Sequence, residues 1–215
     1  MAGQIAPLEN LVICPVRVHG SSMWDSVQRA CDVALIIFTL PVWAPLLLAA
    51  MGIKLLLDGG PVLFRHVRLG HGGEPFVLYK LRTTPADFQP SPGDWSNENY
   101  PPRTRYGSWL RRFDIDELPQ LWNVLKGEMS LVGPRPEMPV HARRFSGALP
   151  EYPQRLTVRP GLTGLAQVRG WRGDTSIRQR LVSDLEYANR RGPGMYFAIL
   201  AKTVAVEARR AAELG

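Results

Sequence analysis

The chain has 215 residues, with 26 lysines and arginines against 19 aspartates and glutamates, and a formal net charge of +7. This length fits one domain with at most an appendage, and the basic excess favours anionic partners such as lipid head groups, nucleic acid or phosphorylated small molecules. The two cysteines form no CxxC pair and the four histidines are scattered, which argues against a disulfide framework and a structural zinc site.

The first part of the chain contains a loose segment followed by a long apolar one. Residues 1–22 hold two prolines and little periodicity, so we expect an N-terminal extension. Residues 33–53 then form a run of 21 residues without a charge. A hydrocarbon core of about 30 Å is crossed by about 20 apolar helical residues, so the run is long enough to span a membrane. Pro41 and Pro45 each remove a backbone donor and favour a kink.

Charges on both sides of this run bear on its topology. The flanking basic residues are Arg17, Arg29, Lys54, Arg65 and Arg68. A spanning helix should show a one-sided excess of basic residues, whereas here both ends have the character of a cytoplasmic flank. We therefore interpret residues 23–57 as a re-entrant helix-break-helix that enters one leaflet and returns. The alternative is a buried core helix of a soluble protein.

The segment after the apolar run predicts a small sheet and then helices. Two alternating apolar runs, 61–70 and 74–83, are joined by a glycine-rich turn and predict a β-hairpin. Residues 85–105 are rich in Pro, Ser, Asn and Asp, which is typical of a long surface loop. The rest has a helical pattern that VGPRPEMP and VRPGLTGLAQV interrupt. Residues 58–215 are therefore expected to form a mostly helical α+β domain.

The densest group of polar motifs lies in residues 111–139. Asp116 and Glu117 directly precede an apolar stripe with helical spacing, so Asp116 is expected to be a helix N-cap and Glu117 a first-turn acid. A carboxylate in that place stays ionised, and amides beside it can receive a phosphate, as a nucleophile attacking phosphorus requires. The capping and the chemical interpretation do not exclude each other.

Two loops that combine arginine with proline or glycine follow. Arg135 lies between Pro134 and Pro136, whose rings restrict the backbone, so this arginine has less freedom to lose when it binds an anion. Arg159 precedes the Pro-Gly of the second loop. Two such loops and an Asp-Glu pair suggest a diphosphate and Mg²⁺, which prefers one or two carboxylates together with phosphate oxygens.

Several sequence blocks in order resemble the bacterial sugar transferases, the monotopic polyprenyl-phosphate phosphoglycosyl transferases that begin exopolysaccharide, capsule, O-antigen and glycoprotein glycan assembly. The blocks are RACD at 29–32, GPVLFRHVRLG at 60–70, YKLRT at 79–83, DELPQLWNVLKGEMSLVGPRPE at 116–137, VRPGLTGLAQV at 158–168 and DLEYANR at 184–190. The resemblance covers about residues 24–203, in the short form of the family without extra spanning helices.

The resemblance implies a two-step exchange. Asp116 would attack the sugar-bearing phosphate of a UDP-sugar and release UMP, and undecaprenyl phosphate would then accept the phosphosugar. Glu117 would bind Mg²⁺, and Arg135 would contact phosphate oxygens. Asp184 matches a late essential aspartate of the family. Further phosphate contacts are expected from basic residues in or near the motifs: Lys80, Arg82, Arg112 and Arg159.

The resemblance also implies a location, one leaflet of the bacterial inner membrane at its cytoplasmic face, and it shows two departures. Ala44 stands where the family has the serine of a Ser-Pro helix break, so Thr39 or a partner segment is expected to satisfy the freed carbonyl. Tyr196 stands in place of an aspartate in a tryptophan-rich C-terminal pattern, and the helix there suits either the membrane interface or ordinary core packing.

Two other functions are weighed against this one. A nucleic-acid binder is disfavoured because aromatic residues do not alternate with the arginines and no groove-reading motif is present. A degenerate family member that acts as a membrane scaffold is the stronger alternative, and release of UMP from UDP-sugars would separate it from an enzyme. Sugar specificity is expected to lie in residues 85–105 and 170–174.

Overall fold

The computed structural model describes residues 23–88, 102–173 and 175–212. The predicted extension 1–22 and most of the predicted loop 85–105 lie outside these residues. The elements in chain order are α1 (Met23–Asp58), β1 (Leu63–Leu69), β2 (Pro75–Leu81), α2 (Arg105–Arg112), α3 (Gln120–Lys126), β3 (Ser130–Val132), α4 (Pro139–Ala148), β4 (Gly161–Thr163), α5 (Leu165–Val168), α6 (Ile177–Arg190) and α7 (Pro193–Ala212). Short 3-10 segments cover His71–Gly73, Ile115–Glu117 and Tyr152–Thr157. This arrangement confirms a mostly helical α+β fold.

The predicted β-hairpin is confirmed. Strands β1 and β2 pair antiparallel, with Leu63 opposite Leu81 at one end and Leu69 opposite Pro75 at the other. The connection is the 3-10 turn His71–Gly73, in which two glycines have φ angles of 68° and 85°. A side chain disfavours this left-handed region, and glycine adopts it without steric cost. The glycines therefore fix the turn and, through it, the register of the hairpin.

A second, parallel pair of strands was not predicted. Ser130 of β3 is paired with Gly161 of β4, so the two interruptions of the helical pattern lie side by side. The contact is backbone to backbone. A Cβ on Gly161 would lie 2.0 Å from the Gly133 nitrogen, and a Cβ on Gly133 would lie 2.3 Å from the Arg159 carbonyl oxygen. These glycines are required because the chains approach too closely for any side chain.

Helix α1 is 36 residues long and contains both prolines within one continuous helix, so the structure records no separation into two helices. The polar side chains near the prolines hydrogen-bond to carbonyls of the same helix. The Thr39 hydroxyl donates to the Leu35 carbonyl at 2.7 Å, and the Trp43 indole donates to the Ile36 carbonyl at 3.0 Å. The prolines free the carbonyls of Ile37 and Pro41, and the hydrogen bonds of Thr39 go to Leu35 and Ile36, so the expected role of Thr39 is not confirmed.

The N-terminal part of α1 is docked on the globular body by buried polar contacts. The Gln28 amide donates to the Ser130 hydroxyl at 2.6 Å. The Asp32 carboxylate accepts from the Leu131 amide at 3.1 Å and from the Tyr196 hydroxyl at 2.8 Å. Because buried polar groups are costly without partners, these bonds fix both the position and the rotation of the helix.

The C-terminal part of α1 is docked on the same body. Ala50 packs in a cluster with Leu81 of β2, and its carbonyl accepts from the Tyr106 hydroxyl at 3.3 Å. Ile36, nearer the N-terminal end, packs against Leu78 of the same strand. Both ends of the apolar run therefore contact a single strand of a single body.

The middle of α1 presents an apolar surface to solvent. Its exposed large apolar side chains include Ile37, Phe38, Leu40, Val42 and Leu48. The helix is long and apolar enough to cross a membrane, and 11% of its most apolar window is buried in the structure. A helix that docks at both ends and exposes apolar residues between them agrees with the re-entrant interpretation, which stays a prediction.

Helix α7 combines core packing with surface exposure. Tyr196 is fully buried and its ring contacts Trp24 edge-on at 5.8 Å between centroids, so of the two alternatives this residue takes core packing. Phe197 and Val204 on the same helix are exposed. The tyrosine that departs from the family pattern thus acts as a core residue that hydrogen-bonds α1.

We expect Gly161→Ala to lower the free energy of unfolding by more than about 2 kcal/mol, because its Cβ would meet fixed backbone atoms and overpacking has costs of this size. Gly147→Ala, in α4, is the matched control, since its Cβ would meet nothing within 4 Å and alanine favours a helix. Thermal unfolding in detergent measures both. Equal midpoints for the two variants would contradict the close approach of the two loops.

Candidate active site

The Asp-Glu pair lies in the 3-10 segment Ile115–Glu117, which we call the acidic turn. Helix α3 begins only at Gln120, with Pro119 at the N-cap position and no side-chain cap. The expectation that Asp116 caps this helix was therefore wrong, because the chain makes a 3-10 turn first. Asp116 is 4% exposed, and its Oδ1 makes no hydrogen bond within the described part of the chain.

A buried carboxylate oxygen without a partner is unusual, since such groups are nearly always hydrogen-bonded. Burial raises the pKa of Asp116 to about 6; the Lys80 ammonium opposes this rise, and the Glu117 carboxylate adds to it. The group is therefore mostly ionised at neutral pH. An ionised, unpartnered oxygen is available to act as a nucleophile or as a ligand.

Glu117 is held by two cations from distant parts of the chain. The Lys80 ammonium contacts Oε1 at 2.7 Å, and the two terminal nitrogens of Arg135 contact Oε1 at 2.6 Å and Oε2 at 3.3 Å. Burial alone would raise the pKa of Glu117, but Arg135 and Lys80 outweigh it and hold that pKa well below its usual range. The structure thus brings together three predicted residues, from the hairpin, the acidic turn and the Pro-Arg-Pro loop (134–136).

Asn123 positions Lys80 and was not singled out from the sequence. This fully buried residue of α3 accepts from the Tyr79 amide at 3.1 Å, and its own amide donates to the Val77 carbonyl at 2.7 Å. Both partners are backbone groups of β2, so α3 fixes the strand that carries Lys80. Sequence spacing held no signal for this contact, because it joins residues 44 and 46 positions apart.

Arg111, which the sequence did not single out, acts electrostatically on the acidic turn, and the phosphate contact expected from Arg112 stays a prediction. Arg111 lies close enough to Asp116 for its charge to lower the pKa of that carboxyl. The Arg112 side chain is exposed at the end of α2. Adjacent arginines in a helix point in different directions, and the sequence alone did not show which one faces the turn.

Arg82 was expected to contact phosphate, but its side chain hydrogen-bonds to backbone carbonyls. It is 4% exposed, and its guanidinium donates to four carbonyl oxygens at 2.6 to 2.9 Å. These are the carbonyls of Asp58, Gly59, Pro61 and Thr84. Arg82 therefore fixes the turn between α1 and β1.

Arg159 is placed beside the N-terminal end of α1. It lines a small cavity together with Asp25, Gln28 and Arg191. Its loop packs on the chain that leads into the Pro-Arg-Pro loop, so the two loops support each other and do not both surround the acidic turn. The phosphate contact expected from Arg159 stays a prediction.

Asp184 does not reach the acidic turn. Its carboxylate accepts from Arg155 Nε at 2.8 Å, and both side chains are 2% exposed. Arg155 Nη2 in turn donates to the backbone carbonyl of Arg135 at 2.7 Å. Asp184 therefore acts on the site indirectly: it orients Arg155, which holds the Pro-Arg-Pro loop.

The carboxylates of the acidic turn suit a hard divalent cation that also binds phosphate. Within the described residues no group of three or more His, Cys, Asp or Glu side chains is arranged to hold a metal by itself. The least engaged oxygens are Asp116 Oδ1 and Glu117 Oε2. One or two such oxygens completed by substrate phosphate form the usual environment of Mg²⁺, so these residues fit that ion.

We expect Asp184→Ala to lower the free energy of unfolding by about 3 to 5 kcal/mol, because it leaves the Arg155 charge buried and unpaired. Glu186→Ala, on the same helix, removes an exposed pair with Arg169 and should hardly change the unfolding midpoint. Thermal unfolding of both variants in detergent tests the difference. Similar midpoints would show that the buried pair is not needed for stability.

The sequence as a whole matches known proteins. The family model for bacterial sugar transferases matches residues 23–210. A UDP-glucose:undecaprenyl-phosphate glucose-1-phosphate transferase of Caulobacter vibrioides is 48% identical over 174 residues, which are 76% of this chain and 62% of that protein. An undecaprenyl-phosphate glucose phosphotransferase of Komagataeibacter xylinus is 44% identical over 77% of this chain and 33% of its own length. The exopolysaccharide production protein PSS of Rhizobium leguminosarum bv. phaseoli is 40% identical over 86% of this chain and 96% of its own length.

The chain thus spans between a third and about three fifths of the first two relatives, and nearly all of the third. The matched region includes every residue of the acidic turn, the hairpin and the Pro-Arg-Pro loop. The chain belongs to the bacterial sugar transferase family.

Proposed function

We propose that the protein transfers a phosphosugar from a UDP-sugar to undecaprenyl phosphate through a covalent intermediate on Asp116. The observation that carries the proposal is the buried, unpartnered Asp116 oxygen beside the Lys80–Glu117–Arg135 contact. The names of the relatives support an undecaprenyl-phosphate acceptor and a UDP-sugar donor. A further relative, from Aeromonas hydrophila and 34% identical over 86% of this chain, is named for N-acetylgalactosamine and not glucose, so the proposal leaves the sugar open.

In the first step an Asp116 carboxylate oxygen attacks the phosphorus that bears the sugar. A new bond forms from that oxygen to phosphorus, the bond from phosphorus to the bridging oxygen breaks, and UMP departs with the electron pair. No proton transfer is needed, because the charge of the carboxylate passes to UMP. Arg111 and Lys80 favour this step, since both stabilise the ionised form of Asp116.

In the second step a phosphate oxygen of the lipid acceptor attacks the same phosphorus and displaces the Asp116 carboxylate. Phosphoryl transfer depends mainly on positioning and on neutralising the equatorial oxygens. Lys80 and Arg135 are suited to this task because Glu117 fixes them in place before the substrate arrives.

We further propose that Mg²⁺ takes part, bound by Glu117 Oε2 and substrate phosphate oxygens. The ion would neutralise diphosphate charge when it is bound. Lys80 and Arg135 keep Glu117 ionised at all physiological pH values, so the carboxylate is in the state that a metal ligand requires.

The location that we propose is the cytoplasmic face of the bacterial inner membrane, with α1 in one leaflet. The exposed apolar middle of α1 supports insertion, and its two docked ends support a return to the same side. Trp109 of α2 and Phe113, which directly follows it, are also exposed apolar residues, and α2 contacts α1 through Tyr106. This arrangement would hold the acidic turn near the depth of lipid phosphates.

Asp116→Asn should abolish UMP release from UDP-sugars while the protein still sediments with membranes, because the substitution removes the nucleophile and leaves α1 intact. Glu151→Gln, an exposed acid, is the control and should keep wild-type activity. In the wild type without lipid acceptor, intact-protein mass spectrometry should detect a phosphosugar adduct. Full activity of Asp116→Asn would overturn the assignment, and a wild type inactive on a panel of UDP-sugars would favour a scaffold.

Chelation of divalent cations should stop UMP release, and added Mg²⁺ should restore it. The reason is that the diphosphate carries more negative charge than Lys80 and Arg135, partly offset by Glu117, can neutralise. Release of UMP in the presence and absence of excess chelator is the measurement. Undiminished release in chelator would remove Mg²⁺ from the proposal without affecting the role of Asp116.

A further inference from the structure

Two arginines outside the acidic turn face one carboxylate at long distances. Arg68 lies near the end of β1 and Arg180 lies in α6. Arg68 Nη1 is 3.5 Å from Glu137 Oε1, and Arg180 Nη1 is 3.8 Å from Glu137 Oε2. Charge-assisted hydrogen bonds are usually about 2.7 to 2.9 Å long, so neither contact is a short hydrogen bond. Two cations therefore share a single carboxylate without a short bond to it.

The Nε atoms of Arg68 and Arg180 are buried and make no hydrogen bond within the described residues. The Arg155–Asp184 pair shows the contrasting arrangement, with short contacts of 2.8 Å and both partners enclosed. A buried donor without an acceptor costs about 1 to 3 kcal/mol. The cluster of Arg68, Arg180 and Glu137, which we call the arginine cluster, is thus short of one negative charge and of acceptors.

The arginine cluster continues from the candidate active site. Phe64, His66 and Arg68 alternate along β1 and so share one face of the hairpin, and Phe64 is paired with Lys80. The rings of Phe64 and His66 are stacked at 5.7 Å. Glu137 directly follows the Pro-Arg-Pro loop, whose last carbonyl accepts from Arg68 at 3.4 Å. Burial lowers the pKa of Arg68, and the charges of Glu137, Arg135 and Glu117 also act on it, so the cluster adjoins the acidic turn.

The position of the arginine cluster indicates whether the phosphate that it binds comes from a soluble molecule or from a lipid head group. The first residue of β1, Leu63, packs with Ala50 of α1, whereas its last residue, Leu69, packs with Tyr152 on the other side of the body. Arg68 is five residues from Leu63, a separation of about 16 Å along a strand. The cluster thus lies away from the apolar surface of α1, which favours a soluble phosphate over a lipid head group.

We propose that Arg68 and Arg180 bind the phosphate of the donor that is not transferred and that leaves in UMP. This inference rests on the proposed function. Before the phosphate binds, Glu137 keeps the two guanidiniums apart and oriented. Arg180 also donates to the Gly173 carbonyl, so the same arginine connects the bound nucleotide with residues 170–173 of the segment predicted to set sugar specificity.

The test is UMP binding to the full chain in detergent micelles, measured by calorimetry with Mg²⁺ present. Arg68→Gln and Arg180→Gln should each weaken UMP binding about tenfold, since each removes a charged hydrogen bond to phosphate. Arg65→Gln is the matched control, because Arg65 is exposed on the opposite face of β1, and it should bind UMP as the wild type does. Arg68→Lys keeps the charge and serves as the second variant if Arg68→Gln does not fold.

Steady-state kinetics distinguish the two sources of phosphate. The same variants should raise KM for the UDP-sugar about tenfold and leave KM for undecaprenyl phosphate unchanged. A raised KM for the lipid with unchanged UMP binding would assign the cluster to the head group and overturn the inference. Unchanged UMP binding in variants of an enzyme that still releases UMP would overturn it and leave the proposed function intact. A wild type that binds UMP but releases none would instead overturn the proposed function.

Discussion

The contact of Glu117 with Lys80 and Arg135 is the interaction on which the arrangement of the site depends. It joins three segments that are far apart in the sequence. The Glu117 and Lys80 side chains are largely buried and Arg135 is more exposed; an ion pair between buried groups is favourable only if each partner is satisfied. Loss of Glu117 would leave two neighbouring cations without compensation. The carboxylate therefore sets the spacing of the positive charges beside Asp116, whatever further role it has toward a metal.

The surrounding structure holds the partners of Glu117 by their backbones. Asn123 fixes the strand of Lys80, Arg155 fixes the carbonyl of Arg135, and Asp184 fixes Arg155. Glycines at 133 and 161 let the two loops pack without side chains between them. The side chains around Asp116 are thus fixed by a second set of contacts, so the charged groups need to move less when the transition state forms.

Arginines carry out different tasks in this protein, and the length of their contacts distinguishes them. Arg82 and Arg155 are saturated by short bonds to backbone or carboxylate and act as structural residues. Arg68 and Arg180 are half-buried, make only long contacts with Glu137, and each have a buried Nε without an acceptor among the described residues. An excess of arginine in a composition therefore predicts phosphate binding only for the residues that the fold leaves unsatisfied. The same contrast explains why Arg82, a predicted phosphate contact, has a structural role instead.

The sequence by itself determined the hairpin, the long apolar helix, the α+β class and the family, because each depends on local pattern: glycines at a turn, uninterrupted hydrophobicity, or motifs read in order. It also identified Lys80, Glu117 and Arg135, which the fold brings together. Only the structure decided that Asp116 lies in a 3-10 turn and not at a helix cap, that the charge of Arg111 acts on it, that Asp184 acts through Arg155, and that β3 pairs with β4. The last two result from contacts between residues distant in the sequence, and the first two from a local backbone conformation that residue spacing does not encode.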